Sequence, residues 1–89
     1  MKKLMQVTEV EGEGLVSLLG KQVTVFCINY IYTGTLAGVN TNDILLDEAS
    51  IVYSTGAFDS NKWDDAQKLP HGVYIRTNSI ESYMMLDKK

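Results

Sequence analysis

The sequence predicts a mainly β domain: a short N-terminal helix on a strongly bent, five-stranded antiparallel sheet. Three observations carry that expectation. Short β-prone runs recur, as in Val23-Thr24-Val25-Phe26-Cys27, where Val23, Val25 and Cys27 fall on one face and Thr24 and Phe26 on the other, which is the pattern of strands rather than helices. Each run is bounded by turn-forming residues. Two glycines, Gly34 and Gly38, interrupt a run from Tyr32 to Val39 that is otherwise β-prone. A glycine inside a strand marks a bulge, a sharp bend or a close backbone approach, and two of them four residues apart make a strand that curls, as barrel strands must.

Size and composition frame this reading. The chain has 89 residues, read as one domain over 1–89, with 45% hydrophobic and 21% charged residues. That balance supports a packed core and argues against disorder. So small a domain buries a modest share of its surface and gains from a staple or from association. Cys27 is the single cysteine, so no intramolecular disulfide or cysteine metal cluster can supply the staple. Between Phe26 and Ile28 it reads as a small buried hydrophobe. Association is therefore the expected source of added stability. No signal peptide follows Met1-Lys2-Lys3 and no apolar run approaches transmembrane length, so the expectation is a soluble, cytoplasmic protein.

Taken in order, Met1 to Glu11 reads either way: Leu4, Val7 and Val10 have helical spacing, while Val7-Thr8-Glu9-Val10 is β-prone. Leu15, Leu18 and Leu19 share one helical face, and Gly20 stands at the C-cap position. A helix of one or two turns cannot stand alone, so it must lie on the sheet and cover its open end. The first strand is Gln22 to Ile28, apolar on both faces and therefore covered on both. Asn29-Tyr30 is a turn, and the second strand is Ile31 to Val39. Asn40-Thr41-Asn42-Asp43 is a polar tip, and the third strand opens at Ile44. Asp47-Glu48-Ala49 interrupts it and Ile51-Val52-Tyr53 continues it. The stretch Thr55 to His71 is the least regular, with Trp63, Ala66 and Leu69 on one face of a short helix stopped by Pro70 and Trp63 as its partly buried anchor. Gly72 to Thr77 and Ile80 to Leu86 are the last two strands, joined by a tight turn.

Charge and chemistry point to binding rather than catalysis. The net charge is -3, unfavourable for a protein that works by neutralising duplex phosphates. No Lys or Arg occurs between Gln22 and Asn61, Arg76 is the only arginine, and Lys2, Lys3, Lys88 and Lys89 form a solvated pair at each end. There is one histidine, His71, and no His or Cys spacing for zinc. No serine sits in a nucleophile elbow, and no glycine-rich phosphate loop precedes a helix. The adjacent pairs Asp47-Glu48 and Asp64-Asp65 read as solvated loop charges. No enzyme, metal or cofactor is expected.

Two motifs in the right order resemble those of Sm-like proteins, a family that includes bacterial Hfq. Gly34, Leu36, Asn40 and Leu45-Leu46 match the first: Gly, an apolar residue two on, an acidic or amide residue six after the Gly, a polar loop and an aliphatic pair. Ile75-Arg76-Thr77-Asn78-Ser79-Ile80 matches the second, with Thr77 where Gly is usual. With the Leu15 to Gly20 helix, the resemblance covers most of the chain. It implies a small open barrel capped by the helix. It further implies a cyclic homo-oligomer, pentamer to heptamer, in which the strand near Val73 to Arg76 pairs with a neighbour's strand near Ser82 to Met85. It implies single-stranded RNA, uridine- or adenine-rich, held at the pore by Asn40, Asn42, Asp43, Arg76 and Asn78. The connection Thr55 to His71 would lie away from those contacts. Three departures bear on RNA binding. Asn40 stands where Asp is usual, keeping hydrogen bonds and losing charge. Asn42 stands where Hfq-type proteins stack an aromatic, a contact worth roughly 1–3 kcal/mol per base. Asp43 adds negative charge. The alternative function is a ring-shaped structural or protein-interaction scaffold that has lost RNA binding.

Overall fold

A computed structural model describes residues 10–86. The terminal lysines and the ambiguous run around Val7 lie outside the described residues. Six strands form one antiparallel sheet: β1 Gln22–Cys27, β2 Ile31–Val39, β3 Asp43–Ser54, β4 Asp65–Lys68, β5 Val73–Arg76 and β6 Ile80–Met85. The spatial order is β4-β3-β2-β1-β6, with β5 also on β3. β3 is long enough to serve two partners along one edge. Asp43 to Leu46 pairs with β5, and Ser50 to Ser54 pairs with β4.

β4 replaces the helix expected from Trp63, Ala66 and Leu69. The apolar spacing there is real, but Asp65 to Lys68 finds a better partner than itself: the ladder with Ser50 to Ser54. An isolated helical turn has no such source of hydrogen bonds. Trp63 is half-buried just ahead of this strand. The expected N-terminal helix is a single 3-10 turn, Leu15–Leu18. Leu15 and Leu18 rest on the core, and Gly20 takes the left-handed conformation, φ +85°, that lets the chain leave the turn and enter β1. The Gly20 N–H donates to the Leu36 carbonyl (2.8 Å) and the Leu36 N–H to the Lys21 carbonyl (2.9 Å).

The sheet is strongly rolled, as the short link from β5 to β6 shows. In a flat sheet these strands would lie four spacings apart, about 19 Å at the usual strand separation. Only Thr77, Asn78 and Ser79 join them, and four Cα steps reach at most about 14 Å. Bulges supply the curvature. Between the Thr33–Ser50 and Thr35–Asp47 pairs β3 has one extra residue, and between the Leu36–Leu46 and Gly38–Leu45 pairs β2 has one. At the first bulge Glu48 adopts φ +51° and its carboxylate accepts from Lys68 Nζ on β4. The interruption expected at Asp47-Glu48-Ala49 is this bulge; the strand runs through it. Gly34 faces the bulge so closely that a Cβ would stand 2.8 Å from the Asp47 carbonyl oxygen.

One side of the sheet holds the core cluster: Val23, Val25, Leu36, Ile44, Leu46, Ala49 and Ile75 are buried together, while Val52, opposite Ile31 in the ladder, is buried on the other face. The other face of β1 is covered as well. Thr24 is buried and donates to Thr33 Oγ1 (3.2 Å), and Thr33 Oγ1 donates on to the Val23 carbonyl (3.0 Å). Phe58, from the β3–β4 connection, leans on Phe26 with ring centroids 6.2 Å apart. Among the described residues no helix is long and apolar enough to cross a membrane.

Candidate functional site

Two turns that are far apart in sequence meet at one end of the rolled sheet. The β2–β3 turn is closed by its own polar residues. The Asn40 N–H donates to the Asp43 carbonyl (2.8 Å), and Asn40 Nδ2 donates to Asp43 Oδ1 (2.8 Å). This is the local side-chain bonding that makes Asn and Asp turn residues. Thr41 and Asn42 are left at the exposed tip.

The second turn is Thr77–Ser79, one 3-10 turn between β5 and β6. Ser79 Oγ donates to the Arg76 carbonyl (2.8 Å) and steadies the turn. Thr77 ties it to the first turn twice: its N–H donates to the Asn42 carbonyl (2.9 Å), and its Oγ1 donates to the same oxygen (3.2 Å). From the other side, the Ile28 N–H donates to the Ser79 carbonyl (3.1 Å). The turn thus links the β2–β3 turn to the residue that follows β1.

The expected site residues divide clearly. Asn40, Asn42, Asp43 and Arg76 are brought together, Asp43 and Arg76 as direct partners in the β3–β5 ladder. Asn78 lies exposed in the middle of the second turn and is reached only through its neighbours. Arg76 is exposed, and among the described residues it makes no salt bridge; the pair found there is Glu48 with Lys68. The Asn40 amide is engaged by Asp43, so a ligand would have to compete for it or use its remaining N–H and carbonyl oxygen. The arrangement offers a guanidinium, amides and hydroxyls, which suits hydrogen bonding to anions and base edges.

Sequence reasoning missed Thr77 as the latch between the turns. The signal was there: a Thr where the resemblance calls for Gly gives up backbone freedom, and its hydroxyl is what the structure uses. The tyrosines Tyr30, Tyr32 and Tyr74, near Arg76, were passed over because they sit in a turn and on strands where alternation alone explains them.

No protein-family model matches this chain, and no curated protein matches it. Among solved structures, it is similar to a chain from the crystal structure of the NatC complex bound to CoA. That similarity has a TM-score of 0.61 and 17% identity, and covers 91% of this chain and 88% of that one. At that identity the likeness is one of fold, and the shared fold is mainly β.

Proposed function

We propose that this chain is an Sm-like protein that assembles into a closed homo-oligomeric ring, pentamer to heptamer, and binds single-stranded RNA through its pore-side turns. It works by binding, not catalysis, and its expected compartment is the cytoplasm. The observation that carries the reading is the latch of Thr77 onto Asn42. It sets the amides of one motif beside the arginine of the other, although the two are far apart in sequence.

The character of the sheet edges supports the ring. β4 is exposed throughout and carries Asp65 and Lys68, the charged edge that discourages further pairing. β5 and β6 are different. Met84 and Met85 are exposed on β6, and among the described residues β5 has a partner only on its β3 side and β6 only on its β1 side. Joining β5 of one copy to β6 of the next is a head-to-tail contact, which generates a ring where the rotation closes. One Arg76 per subunit then becomes a circle of positive charge in an otherwise acidic protein. The RNA would be uridine- or adenine-rich.

A second reading, a structural or protein-interaction ring, is favoured by one feature of the site. Asp43 occupies the Asn40 amide and brings a carboxylate to the turn, and no aromatic stands in that tip. Fluorescence anisotropy with labelled uridine-rich and adenine-rich oligonucleotides separates the two. On the RNA reading, Arg76→Lys weakens binding, because the charge stays and the planar fork is lost, and Arg76→Ala weakens it further. The salt slope stays shallow, about -0.7 for each phosphate neutralised. Absence of binding by the wild type at low salt, with circular dichroism showing a folded protein, would leave the scaffold reading.

A further inference from the structure

Beside the second turn, on the β1 side of Arg76, lies a cavity of about 300 Å³. Tyr30, Tyr32, Tyr74, Arg76, Cys27 and Ser79 all contribute to its walls. Its volume is at the low end of ligand pockets, roughly 300–1,000 Å³, which suits one small planar molecule. Three tyrosines from two separate stretches converge on it. Tyr30 and Tyr32 bracket the start of β2, their ring centroids 6.3 Å apart and tilted by 60°, and Tyr74 comes from β5. Tyr30 and Tyr74 are 53% and 64% exposed, so their rings are available to a ligand rather than used up in the core. Among the described residues of the wall, the only cation is Arg76. Burial, with Glu81 adding to it, raises the Cys27 thiol despite a hydrogen bond from Ser79. Burial likewise raises the Tyr32 phenol, helped by Cys27 and Tyr30. Both of these groups stay protonated and neutral near pH 7.

We propose that this cleft is a nucleotide site, taking a single base against the tyrosine rings with its phosphate on Arg76. The chemistry is that of an aromatic base carrying a 5′-phosphate: π-faces for the ring, a guanidinium for the phosphate, and the Ser79 hydroxyl within the same wall. Two sources carry that chemistry, a free nucleoside monophosphate and the 5′-terminal residue of a single strand. The site extends the single-strand reading above through the shared Arg76, but the tyrosine wall is distinct from the Asn40–Asp43 turn.

Calorimetric titration tests it with adenosine 5′-monophosphate, uridine 5′-monophosphate, adenosine, and a short oligonucleotide with and without a 5′-phosphate. The monophosphates are expected to bind and adenosine to bind about tenfold more weakly. Tyr74→Ala and Tyr30→Ala, both at exposed positions, should each weaken monophosphate binding about tenfold, within the range for loss of one stacking ring. Asn40→Ala should leave the monophosphates unaffected while weakening the oligonucleotide. A strand-end site shows instead as a 5′-phosphate preference of the oligonucleotide that the same tyrosine variants abolish. The inference is overturned if neither the monophosphates nor the 5′-phosphorylated oligonucleotide depends on Tyr30 or Tyr74. If monophosphate binding is lost with Asn40→Ala and kept with both tyrosine variants, the cleft is rejected and the turn site stands.

Discussion

Gly34→Ala is the substitution that most directly probes how this sheet is bent. Its Cβ would stand 2.8 Å from the Asp47 carbonyl oxygen, 3.1 Å from the Ala49 Cα and 3.4 Å from the Leu46 Cβ. Two of these three are backbone atoms on either side of the Glu48 bulge, and no side-chain rotation moves them aside. They lie inside the ~3.5–4.0 Å separation at which carbon contacts are favourable. β2 and β3 must therefore part at the bend that carries the core. Overpacking of this kind costs about 1–3 kcal/mol, and Ala returns about 0.4–1 kcal/mol by restricting the unfolded chain. The net loss is about 1–2 kcal/mol, which for a domain of this size lowers Tm by roughly 5–15 °C. Gly38→Ala is the internal control. There the nearest atom is the Leu45 Cβ at 3.5 Å, an ordinary contact, so Tm should stay within about 3 °C of wild type or rise. Both variants are melted by circular dichroism at one protein concentration, because association would shift Tm by mass action. Equal Tm values for the two variants would refute the idea that the bend depends on a missing side chain at Gly34.

Three further outcomes follow from the structure. Thr33→Val removes the acceptor of the buried Thr24 hydroxyl and the donor to the Val23 carbonyl, and should cost about 1–3 kcal/mol in urea unfolding, whereas an exposed Thr41→Val should change little. The raised Cys27 pKa means slow alkylation by iodoacetamide near pH 8, with the rate profile displaced upward from that of the urea-unfolded chain; the unfolded chain ionises first, so stability falls as pH climbs through the thiol range. Glu48 behaves oppositely. Its hydrogen bond with Lys68, then the charge of Lys68, holds its carboxyl below the ordinary range, so the stability it contributes is present above the unfolded value and is lost as pH falls through the folded one. Lys68→Ala should therefore lower Tm slightly at pH 7 and not at pH 2 to 3, where a persistent difference would contradict the assignment.

Much of the sheet was legible because its signals are local. The alternation in Val23 to Cys27 and the glycine break at Gly34 act within a few residues, and the structure keeps both. The strand at Asp65 to Lys68 was not legible, since its hydrogen-bond partners, Ser50 to Ser54, are contributed by a different segment and its own apolar spacing suits a helix. The helix at Leu15 to Leu19 shrank to one 3-10 turn because Leu36 and Lys21 hold the exit through Gly20. At the site, Asn40 and Asp43 could be read as a turn from their residue types alone. Their meeting with Arg76 rests on the Asp43–Arg76 register and on the Thr77 hydroxyl, and only the motif resemblance pointed that way. The tyrosine cleft had no signal in sequence order, because Tyr30, Tyr32 and Tyr74 converge through the roll of the sheet.

The proposed RNA-binding ring is tested most directly by a native mass spectrum of the intact chain at micromolar concentration, taken with and without a short uridine-rich or adenine-rich oligonucleotide. The expected result is a single closed species between pentamer and heptamer, and a second peak displaced by one oligonucleotide that disappears with Arg76→Ala while the ring mass persists. A monomer under both conditions, unchanged by the oligonucleotide, would contradict the ring and the RNA site together.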